Sequence, residues 1–169
     1  KMYRRIPSHE LTDIKWMSKE RETSAAHILK MARWDTSVSF WVASNVIFAE
    51  PSNIQTRAGI IELFIEIAEH CLALSNYGGA ISCAAGLAQA SVNRLKDTWA
   101  AVNKDKLKRF QEIVTLKDKN FKTYRYRLKE CVPPAIPYIG ILMTDRVFIE
   151  DGNPERFAGG WINIAKMRM

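Results

Sequence analysis

Apolar residues recur along this chain at helical spacing. Ile60, Leu63, Phe64, Ile67, Ala68, Cys71 and Leu72 follow one another at three- and four-residue steps, which describes a helix burying one stripe. Asn53 suits its N-cap and Gly78-Gly79 its end. Upstream, Ser24 to Trp34 and Ser37 to Glu50 read as two more helices, the second turning Val38, Trp41, Val42 and Val46 inward and closed by Pro51. Ala80 to Ala90 is rich in small residues, as expected of a helix lying close to a neighbour. Val92, Leu95 and Trp99 carry the apolar positions on to Leu107, Phe110, Ile113 and Val114, and Tyr124 with Leu128 marks another helix. Proline lacks an amide donor and clashes inside a helix, so Cys131-Val132-Pro133-Pro134-Ala135-Ile136-Pro137 breaks that run. A short helix follows from Ile139 to Asp151, with Gly152 as its stop and Pro154 just beyond. No run alternates with period two between hairpin turns. The pattern predicts an all-α fold and, with no repeat or dividing linker, one domain over residues 1–169.

Charge alters that picture in one place. The 169 residues carry 25 Lys+Arg against 18 Asp+Glu, a net +7. Ten of the bases fall between Lys104 and Lys129, opposed only by Asp105, Glu112 and Asp118, so the whole excess lives there and the rest of the chain is neutral. Such a stretch can be a solvated face, or can meet an anionic membrane or a nucleic acid. Nucleic acid fits poorly, because base-stacking aromatics are not interleaved with the bases and no binding motif appears.

The remaining composition narrows the function classes. The length, with 47% hydrophobic residues, suffices for a sizeable core. Eighteen uninterrupted apolar residues occur nowhere, and no apolar run follows the basic Lys1-Met2-Tyr3-Arg4-Arg5 start, which points to a cytoplasmic chain. Cys71, Cys83 and Cys131 are odd in number and widely spaced, and read as reduced thiols in or near the core. His9, His27 and His70 are scattered, no Gly-x-Ser-x-Gly or phosphate loop exists, and Glu66, Glu69 and His70 read as a helix's solvent face. The expectation is a protein with no covalent catalysis, no metal and no cofactor.

The helix after the prolines carries an unfavourable charge. Glu150 and Asp151 lie in its last turn, where the dipole favours cations and each carboxylate costs a few tenths of a kcal/mol, on the order of 0.3 or more. One reading is turn chemistry, since Asp151-Gly152-Asn153-Pro154 contains only turn-favouring residues. The other is a carboxylate presented to a partner. Thr144, Val147 and Asp151 share a face by their three- and four-residue spacing, and an apolar group one turn from a carboxylate suits a site that displaces both a metal ion and a phosphate.

Four ordered blocks carry a resemblance: Val92-Asn93-Arg94-Leu95-Lys96-Asp97-Thr98-Trp99, Pro133-Pro134-Ala135-Ile136-Pro137-Tyr138-Ile139-Gly140, Thr144-Asp145-Arg146-Val147-Phe148-Ile149-Glu150-Asp151-Gly152-Asn153-Pro154 and Ile162-Asn163-Ile164-Ala165-Lys166-Met167-Arg168-Met169. They resemble the catalytic domain of Ras-family guanine nucleotide exchange factors, most closely the guanine-nucleotide-releasing-factor branch. The resemblance implies an all-helical domain with a protruding helical hairpin that opens the nucleotide site of a small GTPase of Ras, Rap or Ral type. It implies that Val147 intrudes towards the GTPase's Mg²⁺, that Asp151 competes with phosphate for the phosphate-loop lysine, and that Thr144 shares their face. It also implies a GTPase-binding pocket involving Ile81, Leu87 and Ala88, with Tyr138 and Asn153 as further contacts; an ordinary buried helix is the equal reading of Ile81 and Leu87. Arg94 and Trp99 read as scaffold, since a salt-linked arginine and a core indole are the commoner uses of such residues. The chain departs from the family pattern at Ala88, where Asn is usual, and at Asp151, where Glu is usual. It stops at Met169, early in the expected second hairpin arm, so the expectation is a partial domain. A second reading is a GTPase-binding or scaffold module without exchange activity. The basic stretch Lys104–Lys129 suits approach to an anionic membrane, such as the inner face of the plasma membrane, where Ras proteins are lipid-anchored.

Overall fold

The computed structural model describes residues 2–12, 14–49 and 53–167. The chain divides into two compact units, Lys1–Ala32 with Ile139–Met169, and Arg33–Tyr138. Both are helical, and among the described residues the only β-type pairings are two isolated bridges, Asn76 with Ile136 and Arg156 with Ile162.

The middle unit is built on α3 (Ala26–Phe48), α4 (Ile54–Ala73) and α5 (Tyr77–Leu87). Burial of Val42 and Val46 from α3, Ile61, Phe64, Ile65 and Ala68 from α4, and Ile81, Ala84 and Leu87 from α5 makes one apolar core. α4 starts where expected, because the Asn53 side chain accepts the Thr56 amide at 2.9 Å. Gly78-Gly79 does not end it. The chain turns at Ser75 (φ 55°), and Asn76 caps a new helix by accepting the Gly79 amide at 3.0 Å, which places the glycines in the first turn of α5. α3 and α5 approach closely: a Cβ on Gly86 would stand 2.5 Å from the Ser39 carbonyl oxygen and 2.7 Å from Val42 Cβ, so only glycine fits there.

The two helices expected over 24–50 are instead the short α2 (Arg21–Ser24) and the 23-residue α3. No Gly or Pro interrupts Trp34-Asp35-Thr36-Ser37, and the hydroxyls of Ser37 and Ser39 bond back to the carbonyls of Arg33 (2.8 Å) and Asp35 (3.1 Å) within the helix. Trp41 is not inward: it is 56% exposed, although its ring meets Phe64 edge-on at 5.1 Å. Pro51 and Glu50 lie outside the described residues.

Beyond α5 come α6 (Ala90–Asn93), α7 (Lys96–Ala101), α8 (Lys104–Val114) and α9 (Asp118–Glu130). Asn103 starts α8, accepting the Asp105 amide at 2.8 Å, while its own amide donates to Glu62 of α4 at 2.8 Å. Trp99 is scaffold as expected, donating to the Val92 carbonyl at 3.1 Å and stacking on Phe110 at 5.3 Å. Arg94 is exposed and, among the described residues, forms no ion pair. Near its start α9 is interrupted by Lys119, Asn120 and Phe121, all left-handed at φ 49°, 56° and 60°.

The other unit holds α1 (Ser8–Thr12), α10 (Ile139–Gly152) and α11 (Ile164–Met167), together with the first turns of α3. Trp16, Ala25 and Ile28 form its buried cluster, against which Ile6, Leu11, Ile14, Leu29, Met143 and Val147 pack. Glu10 ties the unit together. It is only 2% exposed, and its carboxylate accepts the amides of His27 (3.0 Å) and Ile28 (2.9 Å) in the first turn of α3, with His27 Nδ1 2.6 Å away.

Candidate functional site

α10 runs over the expected span and extends one residue further, to Gly152. The two carboxylates of its last turn have different fates. Glu150 is paired, with Lys166 Nζ at 3.1 Å and Arg146 at 4.0 Å, so the dipole penalty on that side is offset locally. Asp151 is exposed and makes no ion pair among the described residues. Asn153 is half-buried and donates its side-chain amide to the Ile149 carbonyl at 3.0 Å, satisfying one of the unpaired carbonyls at the helix end. Thr144 is exposed and bonds back to the Gly140 carbonyl at 2.9 Å. Val147 lies in the apolar packing around Trp16, Ala25 and Ile28. Thus Asp151 and Thr144 are exposed, while Val147, one turn from each, is half-buried against that cluster.

The loop after α10 is organised by Asn163, a residue to which the sequence reading gave no role. It is 5% exposed, donates to the Pro154 carbonyl at 3.0 Å and accepts the Lys166 amide at 3.1 Å, which starts α11 and aims Lys166 at Glu150. A helix-capping Asn three residues after Gly159-Gly160 was the available signal.

In the middle unit, Ile81 and Leu87 are 1% and 0% exposed. Both belong to the core face of α5. Ala88, at the C-cap of α5, is exposed. Tyr138 is half-buried and held from two sides. Its amide donates to the Tyr124 hydroxyl at 3.0 Å, and Ile136 pairs with the α4–α5 turn through its amide to Ser75 (2.9 Å) and its carbonyl to Gly78 (3.2 Å). Phe121, in its left-handed conformation, stacks on the Tyr138 ring at 6.3 Å.

One buried carboxylate was missed. Asp35 is 8% exposed on the inward face of α3, its Oδ2 has no hydrogen-bond partner, and burial pushes its carboxyl up to about 6. A polar residue among the inward positions Ile28, Met31, Val42 and Val46 was visible in the sequence; its lack of a partner was not.

The basic stretch is partly neutralised. Lys106 pairs with Glu66 and Arg109 with Glu69 (3.3 Å), both on α4, and burial pulls the Lys117 amine below its ordinary range. Lys104, Lys108, Lys119, Lys122, Arg127 and Lys129 remain exposed. No helix among the described residues is long and apolar enough to cross a membrane, and none of the described His, Cys, Asp and Glu side chains gather as a metal-ligand set.

Comparison with known proteins gives the family. The RasGEF domain model matches residues 1–168, and the chain belongs to that family. It is 35% identical to Ras guanine nucleotide exchange factor P of Dictyostelium discoideum over 170 residues, covering 99% of this chain and 11% of that protein. It is 34% identical to Ras-specific guanine nucleotide-releasing factor 2 of Mus musculus over 171 residues, and 32% identical to the son of sevenless protein of Drosophila melanogaster over 168 residues. Each match covers 99% of this chain, but only 14% and 10% of those two proteins.

Proposed function

We propose that this domain accelerates guanine-nucleotide release from a small GTPase of Ras, Rap or Ral type. The observation that carries the reading is the RasGEF family match over residues 1–168, joined by relatives named as Ras exchange and releasing factors. Exchange follows from linkage: a factor that prefers the nucleotide-free GTPase lowers its nucleotide affinity by the same coupling factor. The exposed Asp151 at the end of α10 supports a role as a stand-in for the departing phosphate, since a phosphate loop is an anion-binding concavity of amides plus a lysine. Thr144 and Asn153 flank it. Val147, half-buried against Trp16, Ala25 and Ile28, is the apolar group for the GTPase's Mg²⁺ site; an apolar group in that sphere weakens octahedral oxygen coordination. Ala88 and Tyr138 supply a second contact region, with Ile81 and Leu87 beneath it.

The half-buried Val147 and the missing amide at Ala88 favour one second reading, a domain that binds the GTPase without exchange. A panel of Ras, Rap and Ral proteins loaded with fluorescent GDP separates the two. Accelerated release from at least one supports exchange; binding by titration with unchanged release supports the second reading; neither result sinks both. The six exposed bases of α8 and α9 named above support approach to an anionic membrane, each contributing about 1 kcal/mol near the surface.

A further inference from the structure

The loop after α10 is built to return onto that helix. Asn163 closes its two ends, the side chain donating to the Pro154 carbonyl at 3.0 Å and the main-chain amide to the Glu155 carbonyl at 2.9 Å. Between those ends the loop is bonded within itself. The Phe157 amide donates to the Trp161 carbonyl at 2.8 Å and the Gly160 amide to the Phe157 carbonyl at 3.0 Å, with Gly159 and Gly160 at φ 92° and 82°, values that glycine adopts freely. Asn163 then accepts the Lys166 amide at 3.1 Å, and from that turn the Lys166 ammonium meets the Glu150 carboxylate at 3.1 Å. The end of α10 is therefore held from several sides, although helix ends ordinarily fray because their last carbonyls lack partners. Asn153 donates to the Ile149 carbonyl at 3.0 Å. Arg146, 4.0 Å from Glu150, donates its Nε to the Leu11 carbonyl of α1 at 3.1 Å. Arg146 thus anchors the body of α10 to α1, and Lys166 anchors its last turn to α11. The Lys166 and Glu150 side chains keep only 11% and 23% of their exposure, so solvent and salt screen this pair less than a surface one.

We propose that Lys166 is a positioning residue: its ion pair with Glu150 fixes the last turn of α10 and thereby holds the adjacent, exposed Asp151 carboxylate at one place. The inference rests on the exchange reading above, in which Asp151 takes the phosphate position. A charge accelerates a step most when it is already fixed where the developing state needs it, and a misplacement of about 1 Å can cost roughly 100-fold. Lys166 itself contributes no contact to the GTPase in this arrangement. Its whole effect passes through the turn that carries Asp151, so loss of the pair lowers kcat and leaves KM for the GTPase unchanged.

The test compares the full chain with Lys166→Gln and Glu150→Gln, which remove the pair, and with Lys166→Arg, which keeps it. Amide ¹⁵N relaxation of the chain alone reads the order of Asp151 and Gly152, and release of fluorescent GDP from a responding GTPase reads kcat and KM. In both Gln variants the two amides should lose order and kcat should fall by roughly 10-fold at unchanged KM. The double Gln variant should be no slower than either single one, and Lys166→Arg should match the parent in both readouts. In an Asp151→Ala background Lys166→Gln should cost nothing further, whereas a merely structural lysine would cost as much there as in the parent. An unchanged kcat in Lys166→Gln, amides at 151 and 152 as ordered as in the parent, or a loss that persists at full size in the Asp151→Ala background overturns the inference. Should a Gln variant fail to fold, a loss of order or rate in Lys166→Arg comparable to that expected of Lys166→Gln overturns it as well. If the parent accelerates release from no GTPase, the exchange reading falls, and the order of the two amides alone decides whether the pair fixes the turn.

Discussion

Glu10 and Asp35 are both carboxylates inside the protein, 2% and 8% exposed, but their surroundings differ. For Glu10, burial opposes ionisation, yet the amides of Ile28 and His27 and the His27 imidazole outweigh it and hold the carboxyl below its usual range. In the acid window the unfolded state therefore binds more protons. The Glu10 contribution is fully present above the ordinary carboxylate value of about 4.3 and is lost as pH falls below it. Glu10→Ala also leaves two amides in the first turn of α3 unsatisfied, and should cost on the order of 2–4 kcal/mol in a urea titration at pH 7. Asp35 has the opposite sign. Its carboxyl is raised by burial from 3.8 to about 6, so the folded state binds more protons and stability falls as pH rises through that interval. Asp35→Asn should then stabilise by up to about 3 kcal/mol at pH 7.5 and by little at pH 4. Equal effects at both values would contradict the assignment.

At the scale of elements, the seam between α3 and α5 depends on one missing side chain. Gly86→Ala places a methyl 2.5 Å from a backbone oxygen, which cannot swing aside, and should destabilise by about 1–3 kcal/mol in the same titration. Much of this level was legible in the sequence. Periodicity found α4, the small-residue run anticipated the close approach of α5, and the proline segment and α10 fell where expected. What escaped had specific causes. Two helices were expected to meet between Trp34 and Ser37, but the hydroxyls of Ser37 and Ser39 bond back into one continuous α3. Two glycines suggested an end, but Asn76 made them a beginning. Trp41 was assigned by face alone, and a helix with apolar groups on several sides leaves the buried face to tertiary contacts that spacing does not encode. Among the candidate residues, sequence reasoning located the exposed Asp151 correctly on the helix end, but could not tell that neighbouring Glu150 would be paired with Lys166, which lies sixteen residues further on.

For the whole molecule, the net +7 is concentrated in Lys104–Lys129. Lys106 and Arg109 are spent on α4, so membrane affinity, if it resides in the basic stretch, belongs to the six exposed bases. Replacing Lys122, Arg127 and Lys129 together by Gln should weaken binding to phosphatidylserine vesicles by roughly 100-fold at 0.1 M salt, at about 1 kcal/mol per base. Co-sedimentation that does not depend on anionic lipid would dispose of that role. The central claim is that the domain opens the nucleotide site of a Ras-family GTPase with the Asp151 carboxylate at the phosphate position. The most direct measurement is the release rate of fluorescent GDP from the responding GTPase with the parent chain and with Asp151→Ala. The account predicts acceleration by the parent and a loss of roughly 10–100-fold in the variant, the worth of one charge-assisted hydrogen bond. Equal rates for the two would contradict it.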